Sequence, residues 1–136
     1  MASRSLIGLD VGEKRIGVAV ADLGVKIALP YETILVNGRE IDAIREIVEN
    51  ENADTIVVGY PRNQQGEPTQ QTAYVQNFAK QLVDIAPKIV FQDESLTSVL
   101  AEQQLAIHGK PFKRSEIDAQ AAAIILQDYV ETHYEG

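Results

Sequence analysis

The sequence predicts an α/β protein built on one five-stranded mixed sheet, with the first three strands antiparallel and helices on both faces. Two observations carry this. Leu/Ile/Val-rich runs at 5–10 and 16–21 are separated only by V-G-E-K-R, the pattern of a hairpin. Continuous apolar runs at 54–61 and 88–92 alternate with helical patterns, as expected of strands joined by right-handed crossovers. The chain of 136 residues suits one domain spanning 1–136, with no repeat, linker or low-complexity tract.

The elements follow in order. After the hairpin, IALPYETIL at 27–35 reads as a third strand, and its internal Pro30 assigns it to an edge or bulged position. EIDAIREIVEN carries Ile41, Ile44, Ile47 and Val48 at spacings of three and four, an amphipathic helix with a charged outer face. DTIVVGYP is a short buried strand ended by Gly and Pro. Beyond the polar loop RNQQGEP, Val75, Phe78, Ala79 and Leu82 form one stripe of a second helix over roughly 69–86. Pro87 precedes the fifth strand, KIVFQ. A further helix is expected over about 97–107, ending at a left-handed cap on Gly109, and a last one starts at Ser115 and runs through AQAAAIILQDYVE.

Composition narrows the function. No apolar run approaches the ~18 residues a membrane span needs, and MASRSLIGLD lacks a secretory signal, so a cytoplasmic protein with no membrane partner is expected. The absence of Cys excludes disulfides, thiolate metal sites and a Cys nucleophile. A net charge of −8 argues against a broad electrostatic grip on nucleic acid. Basic residues nevertheless cluster locally, at Lys14 and Arg15 and at Lys110, Lys113 and Arg114.

Both clusters lie beside acids at element ends. In an open α/β sheet the functional crevice lies beyond the carboxyl ends of the parallel strands. Asp10 ends the first strand, Asp93 and Glu94 end the fifth, and Asp118 lies in the first turn of the last helix. Hard divalent cations such as Mg²⁺ need such clustered carboxylates and neither Cys nor His. Each acid also has a purely structural explanation. Asp10 with Gly12 suits a tight turn, Asp93 and Glu94 suit a solvated strand end or a helix N-terminus, and Asp118 completes an S-x-x-D capping box with Ser115. Against the last, Asp118 shares a helical stripe with Ala121, Ala122, Ile125 and Tyr129, where a carboxylate is costly unless paired or metal-bound. The small residues Ala119 and Ala121–Ala123 would let this helix sit close to the sheet, near Asp10. His108 and His133 receive no catalytic role.

GLDVGEKRIGVAVAD, VVGYPRNQQGEPT, DESLTS and IDAQAAAIILQDYV occur in the order and approximate spacing of the YqgF/RuvX family, which the chain resembles from residue 6 to about 131. That family is described both as nucleases of precursor 16S rRNA and as Holliday junction resolvases. The resemblance implies an RNase H-like fold and a metal-dependent acid cluster: Asp10 as the first-strand ligand, Glu94 after the last strand, and Asp118 in the final helix. Asp93 stands as an alternative ligand to Glu94, since adjacent strand residues face opposite ways. The implied cofactors are Mg²⁺ or Mn²⁺ and the implied partner is nucleic acid, either precursor rRNA or branched DNA. Lys14, Arg15, Arg62, Lys110, Lys113 and Arg114 are the expected phosphate contacts. The family's D-E-R-L-T reads D-E-S-L-T here, so Ser95 replaces a guanidinium with a short hydroxyl.

RNA processing is favoured over junction resolution, because symmetric junction cleavage requires a dimer and the sequence shows no helix-length apolar seam; a monomer or weak homodimer is expected. Two rivals remain. A D-x-G turn also binds nucleotide in actin-like kinases, but those need a duplicated domain for which 136 residues leave no room. A non-catalytic nucleic-acid-binding module of the same fold is the other.

Overall fold

The structure is a computed structural model that describes residues 4–61, 65, 67–94 and 114–133, with the backbone alone at 94, 114 and 115. Its strands are β1 (Ser5–Val11), β2 (Arg15–Asp22), β3 (Ile27–Leu35), β4 (Ala53–Pro61) and β5 (Lys88–Glu94). Its helices are α1 (Glu40–Asn50), α2 (Gln70–Lys80) and α3 (Arg114–His133). The helix expected over 97–107 lies outside the described residues. Among the described helices none is long and apolar enough to cross a membrane.

The strands form one sheet in the order β3-β2-β1-β4-β5. β1 pairs antiparallel with β2, and β2 with β3, whereas β1–β4 and β4–β5 are parallel. The first three strands therefore form the expected meander, followed by the crossovers. Pro30 sits where its missing N–H costs least: β3 is an edge strand, and its register with β2 shifts between Val18 and Ala19, opposite Pro30 and Glu32.

Alternation sends the strand side chains into two different layers. Ile7, Leu9, Ile16, Val18, Ile56 and Val58 meet Ile44 and Val48 of α1 and Val75 and Phe78 of α2. On the opposite face Leu6, Ala19, Ala21 and Val57 meet Ala122, Ile125, Leu126 and Tyr129 of α3. This second layer is thin because the sheet offers Gly8, Gly17, Ala19 and Ala21 where the helix crosses it. A Cβ added at Gly8 would stand 2.7 Å from the Leu126 Cβ, and one at Gly17 would overlap the backbone carbonyl of Asp118. Helix α3 thus lies with its backbone almost on the sheet.

The second helix is shorter than its apolar stripe implies. α2 ends at Lys80, and the N–H groups of Gln81, Leu82 and Ile85 bond three residues back, to Phe78, Ala79 and Leu82. The chain tightens into single turns ahead of Pro87. Leu82 nevertheless stays fully buried in the α1/α2 layer, so hydrophobic periodicity outlasts the α-helix itself. At the other end of α2, Thr69 is the N-cap in a reciprocal pairing with Thr72, whose hydroxyl also donates to the Pro61 carbonyl and ties the helix start to the end of β4.

Candidate metal centre

The β1–β2 turn sets up the site. The Gly12 N–H donates to the Arg15 carbonyl at 3.0 Å, and a Cβ at Gly12 would stand 2.7 Å from that oxygen. Only glycine closes the turn this tightly. The Val36 N–H donates to the Lys14 carbonyl at 3.0 Å, so both sides of the turn backbone are fixed.

Asp10 and Gly17 are register partners across β1 and β2 and therefore share a sheet face. Gly17 is also where the sheet meets the Asp118 backbone. Two carboxylates more than a hundred positions apart in the chain are thus brought to one crossing, and the contact is steric: α3 approaches because residue 17 has no side chain. Arg15, with the same parity as Gly17 and one turn of the pleat closer to the hairpin, donates from Nε to Asp118 Oδ2 at 2.7 Å. Both side chains of this pair are partly exposed. Asp10, Asp118, Lys14 and Arg15 line a cavity of about 390 Å³ together with Gly12, Glu13 and Gln71.

Gln71 is a member of this cavity that the sequence did not reveal. It stands in the first turn of α2 and donates from Nε2 to the Val11 carbonyl at 3.0 Å, bridging the helix start to the tip of β1. The usable signal was its position, one turn into the helix that begins beyond the carboxyl end of β4.

The other predicted residues fall elsewhere. Asp93 lines a separate cavity with Tyr60 and Phe91 and shares the strand parity of Phe91 and Ile89, the latter packed into the α1/α2 layer. Position 94 has the opposite parity, that of Val90, which packs in the α3 layer. Glu94 pairs through its backbone with Pro61. The side chains of Glu94 and Arg114, and all of Arg62, Ser95, Lys110 and Lys113, lie outside the described residues. Among the described residues no group of three or more Asp, Glu, His or Cys comes close enough together to hold a metal ion, and Asp10 and Asp118 are joined in the cavity lining by Glu13. A larger cavity of about 500 Å³ lies between α2 and β5, but Val83, Ile89 and Phe91 line it with Lys80 and no carboxylate.

The donor set fits a hard divalent cation: carboxylates line the cavity, no Cys, His or Met is among its lining residues, and Asp118 already draws a guanidinium.

The fold is similar to that of RuvC from Thermus thermophilus in complex with a Holliday junction substrate, at TM-score 0.58 and 17% identity over 96% of both chains. This is an α/β protein of the RNase H-like class, with a carboxylate on the central strand and another on the last helix. The chain belongs to the RuvX family, whose model, described as Holliday junction resolvase, matches residues 4–132. Its relatives include proteins named "Putative pre-16S rRNA nuclease" from Chloroflexus aggregans, 43% identical over 96% of each chain. Others of that name come from Sulfurihydrogenibium sp., 38% identical over 93% of this chain and 89% of the relative, and Staphylococcus carnosus, 35% identical over 97% and 99%.

Proposed function

We propose that this protein is a divalent-metal-dependent hydrolase that cuts phosphodiester bonds in structured RNA, processing the 5′ end of precursor 16S rRNA in the cytoplasm as a monomer or weak homodimer. The observation that carries this is the crossing at Gly17, where Asp10 and Asp118 meet in one cavity rimmed by Lys14 and Arg15.

Asp10, Glu94 and Asp118 would hold Mg²⁺ or Mn²⁺. Strand parity favours Glu94 over Asp93, because position 94 belongs to the sheet face of Asp10 and Asp93 to the other. Bound at these residues, such ions would lower the pKa of a coordinated water and offset negative charge on the scissile phosphate. The chain's own residues do the rest. Asp10 aims its carboxylate from a strand rigidly paired on both sides. Lys14 and Arg15, with Arg62, Lys110, Lys113 and Arg114, give phosphate contacts and register. Gln71 keeps the α2 start against β1 and so sets the width of the cleft.

The test is incubation of the protein and its Asp10→Asn variant with Mn²⁺ and either a precursor 16S rRNA fragment or a four-way DNA junction. Trimming of the RNA by the wild type alone is the expected result. Cleavage of the junction alone would transfer the assignment to Holliday junction resolution, the activity named in the family description. Failure on both, with no Mn²⁺-induced rise in Tm, would leave a non-catalytic binding module.

A further inference from the structure

We propose that Arg15 has two stations: it neutralises Asp118 in the metal-free protein, and it is released to a nucleic-acid phosphate when a divalent cation takes that carboxylate. This rests on the metal-dependent nuclease reading above and adds a coupling between the two ligands.

The pair is built so that only one partner moves. Asp118 is anchored by its backbone, which lies against Gly17 with no room for a shift toward the sheet. The Arg15 backbone is held as well, its carbonyl accepting from the Gly12 N–H at 3.0 Å. Its side chain, by contrast, is long, lies at the cavity rim and is a third exposed, so the head group can swing out into water. The bond that holds it, Nε to Oδ2 at 2.7 Å, uses one donor of the guanidinium fork. A carboxylate has lone pairs for two partners, but a divalent ion on the same group repels the guanidinium and weakens the single hydrogen bond that holds it, so a competing phosphate can draw Arg15 away. The phosphates that would bring the substrate to that ion accept the same planar fork in bidentate fashion, and Lys14 beside it extends the basic rim.

Two consequences follow. Cation and nucleic acid bind cooperatively, because each favours the state in which Arg15 has left Asp118, and the coupling is reciprocal. The charge repulsion between Asp10 and Asp118 is also relieved without metal, so the protein folds with an intact site before it is loaded.

The experiment uses the whole chain. In the wild type, the Arg15 Nε–H resonance, assigned by its loss in Arg15→Lys, is expected to move and to exchange faster with water on Mg²⁺ titration. Calorimetric titration of Arg15→Gln is expected to show Mn²⁺ binding roughly fivefold to tenfold tighter than in the wild type. With a short duplex RNA and Ca²⁺ as the cation, the salt dependence of wild-type binding should steepen by about one phosphate contact relative to metal-free buffer, and that of Arg15→Gln should not. Metal binding that Asp10→Asn abolishes, together with an Nε–H signal that stays in place, would overturn the two-station role and leave the nuclease assignment standing. No metal binding sensitive to Asp10→Asn would overturn both.

Discussion

The two faces of the central sheet are packed by opposite rules. Toward α1 and α2 the sheet presents Ile7, Leu9, Ile16, Val18, Ile56 and Val58, and the helices answer with Ile44, Val48, Val75 and Phe78. Toward α3 it presents Gly8, Gly17, Ala19 and Ala21 beside Leu6 and Val57, and the helix answers with Ala122 and Ala123 as well as Ile125, Leu126 and Tyr129. The thick layer holds more of the buried apolar side chains and so removes more apolar surface from water. The thin layer gives up some of that area for proximity. The close approach at Gly17 brings a strand acid and a helix acid with short side chains to the rim of one cavity. The candidate site accordingly lies on the alanine face.

Substitutions separate the two roles. The largest effect is expected from Gly17→Val, whose branched side chain would have to displace the Asp118 backbone. Urea unfolding should show a loss of about 3 kcal/mol, and the folded remainder should lose any Asp10-dependent rise in Tm with Mn²⁺. Leu82→Ala opens a cavity in the thick layer and should cost about 2–3 kcal/mol in the same measurement. It should leave the Mn²⁺ response intact; loss of that response would show that the two layers are not independent.

A smaller effect is expected at the start of α1. Hydrogen bonds from backbone N–H groups, its own first and then those of Gly38 and Asn37, hold the Glu40 carboxyl below the ordinary glutamate range, against the opposing cost of burial. The contacts from Gly38 and Asn37 measure 2.7 and 3.1 Å. A depressed carboxylate stabilises the fold above the unfolded-state glutamate range and loses that contribution as pH falls through its folded value. Glu40→Gln should therefore cost roughly 0.3 kcal/mol at neutral pH after solvent screening and nothing in strong acid, as thermal melts across pH would show. An effect equally close to zero is expected on β3, where Ile27 and Leu29 are 53% and 62% exposed on the edge strand. Leu29→Thr should change stability by less than about 0.5 kcal/mol; a larger loss by urea unfolding would show that this strip is covered in solution.

Much of the architecture could be read from residue order. The V-G-E-K-R break predicted the hairpin, Pro30 the irregular edge strand, and the stripe of Ile44, Ile47 and Val48 the buried side of α1. The end of α2 was missed because Leu82 continues the apolar stripe beyond the last helical hydrogen bond, and periodicity reports burial rather than backbone pairing. At the site, Asp10 and Asp118 stood out as acids at element ends, whereas Gln71 did not, since an uncharged amide at a helix start has many uses.

By itself the sequence determined which residues alternate, where strands and helices begin, and which acids lie at their ends, because these depend on short-range spacing and on the chemistry of single side chains. Only the tertiary structure decided that Asp10 stands opposite Gly17, that Gly17 meets the backbone of Asp118, and that Arg15 rather than Lys14 takes the Asp118 carboxylate. Those facts depend on strand register and on the height of a helix above a sheet. Both are set by the packing of distant segments, and a missing side chain at one position is enough to change them.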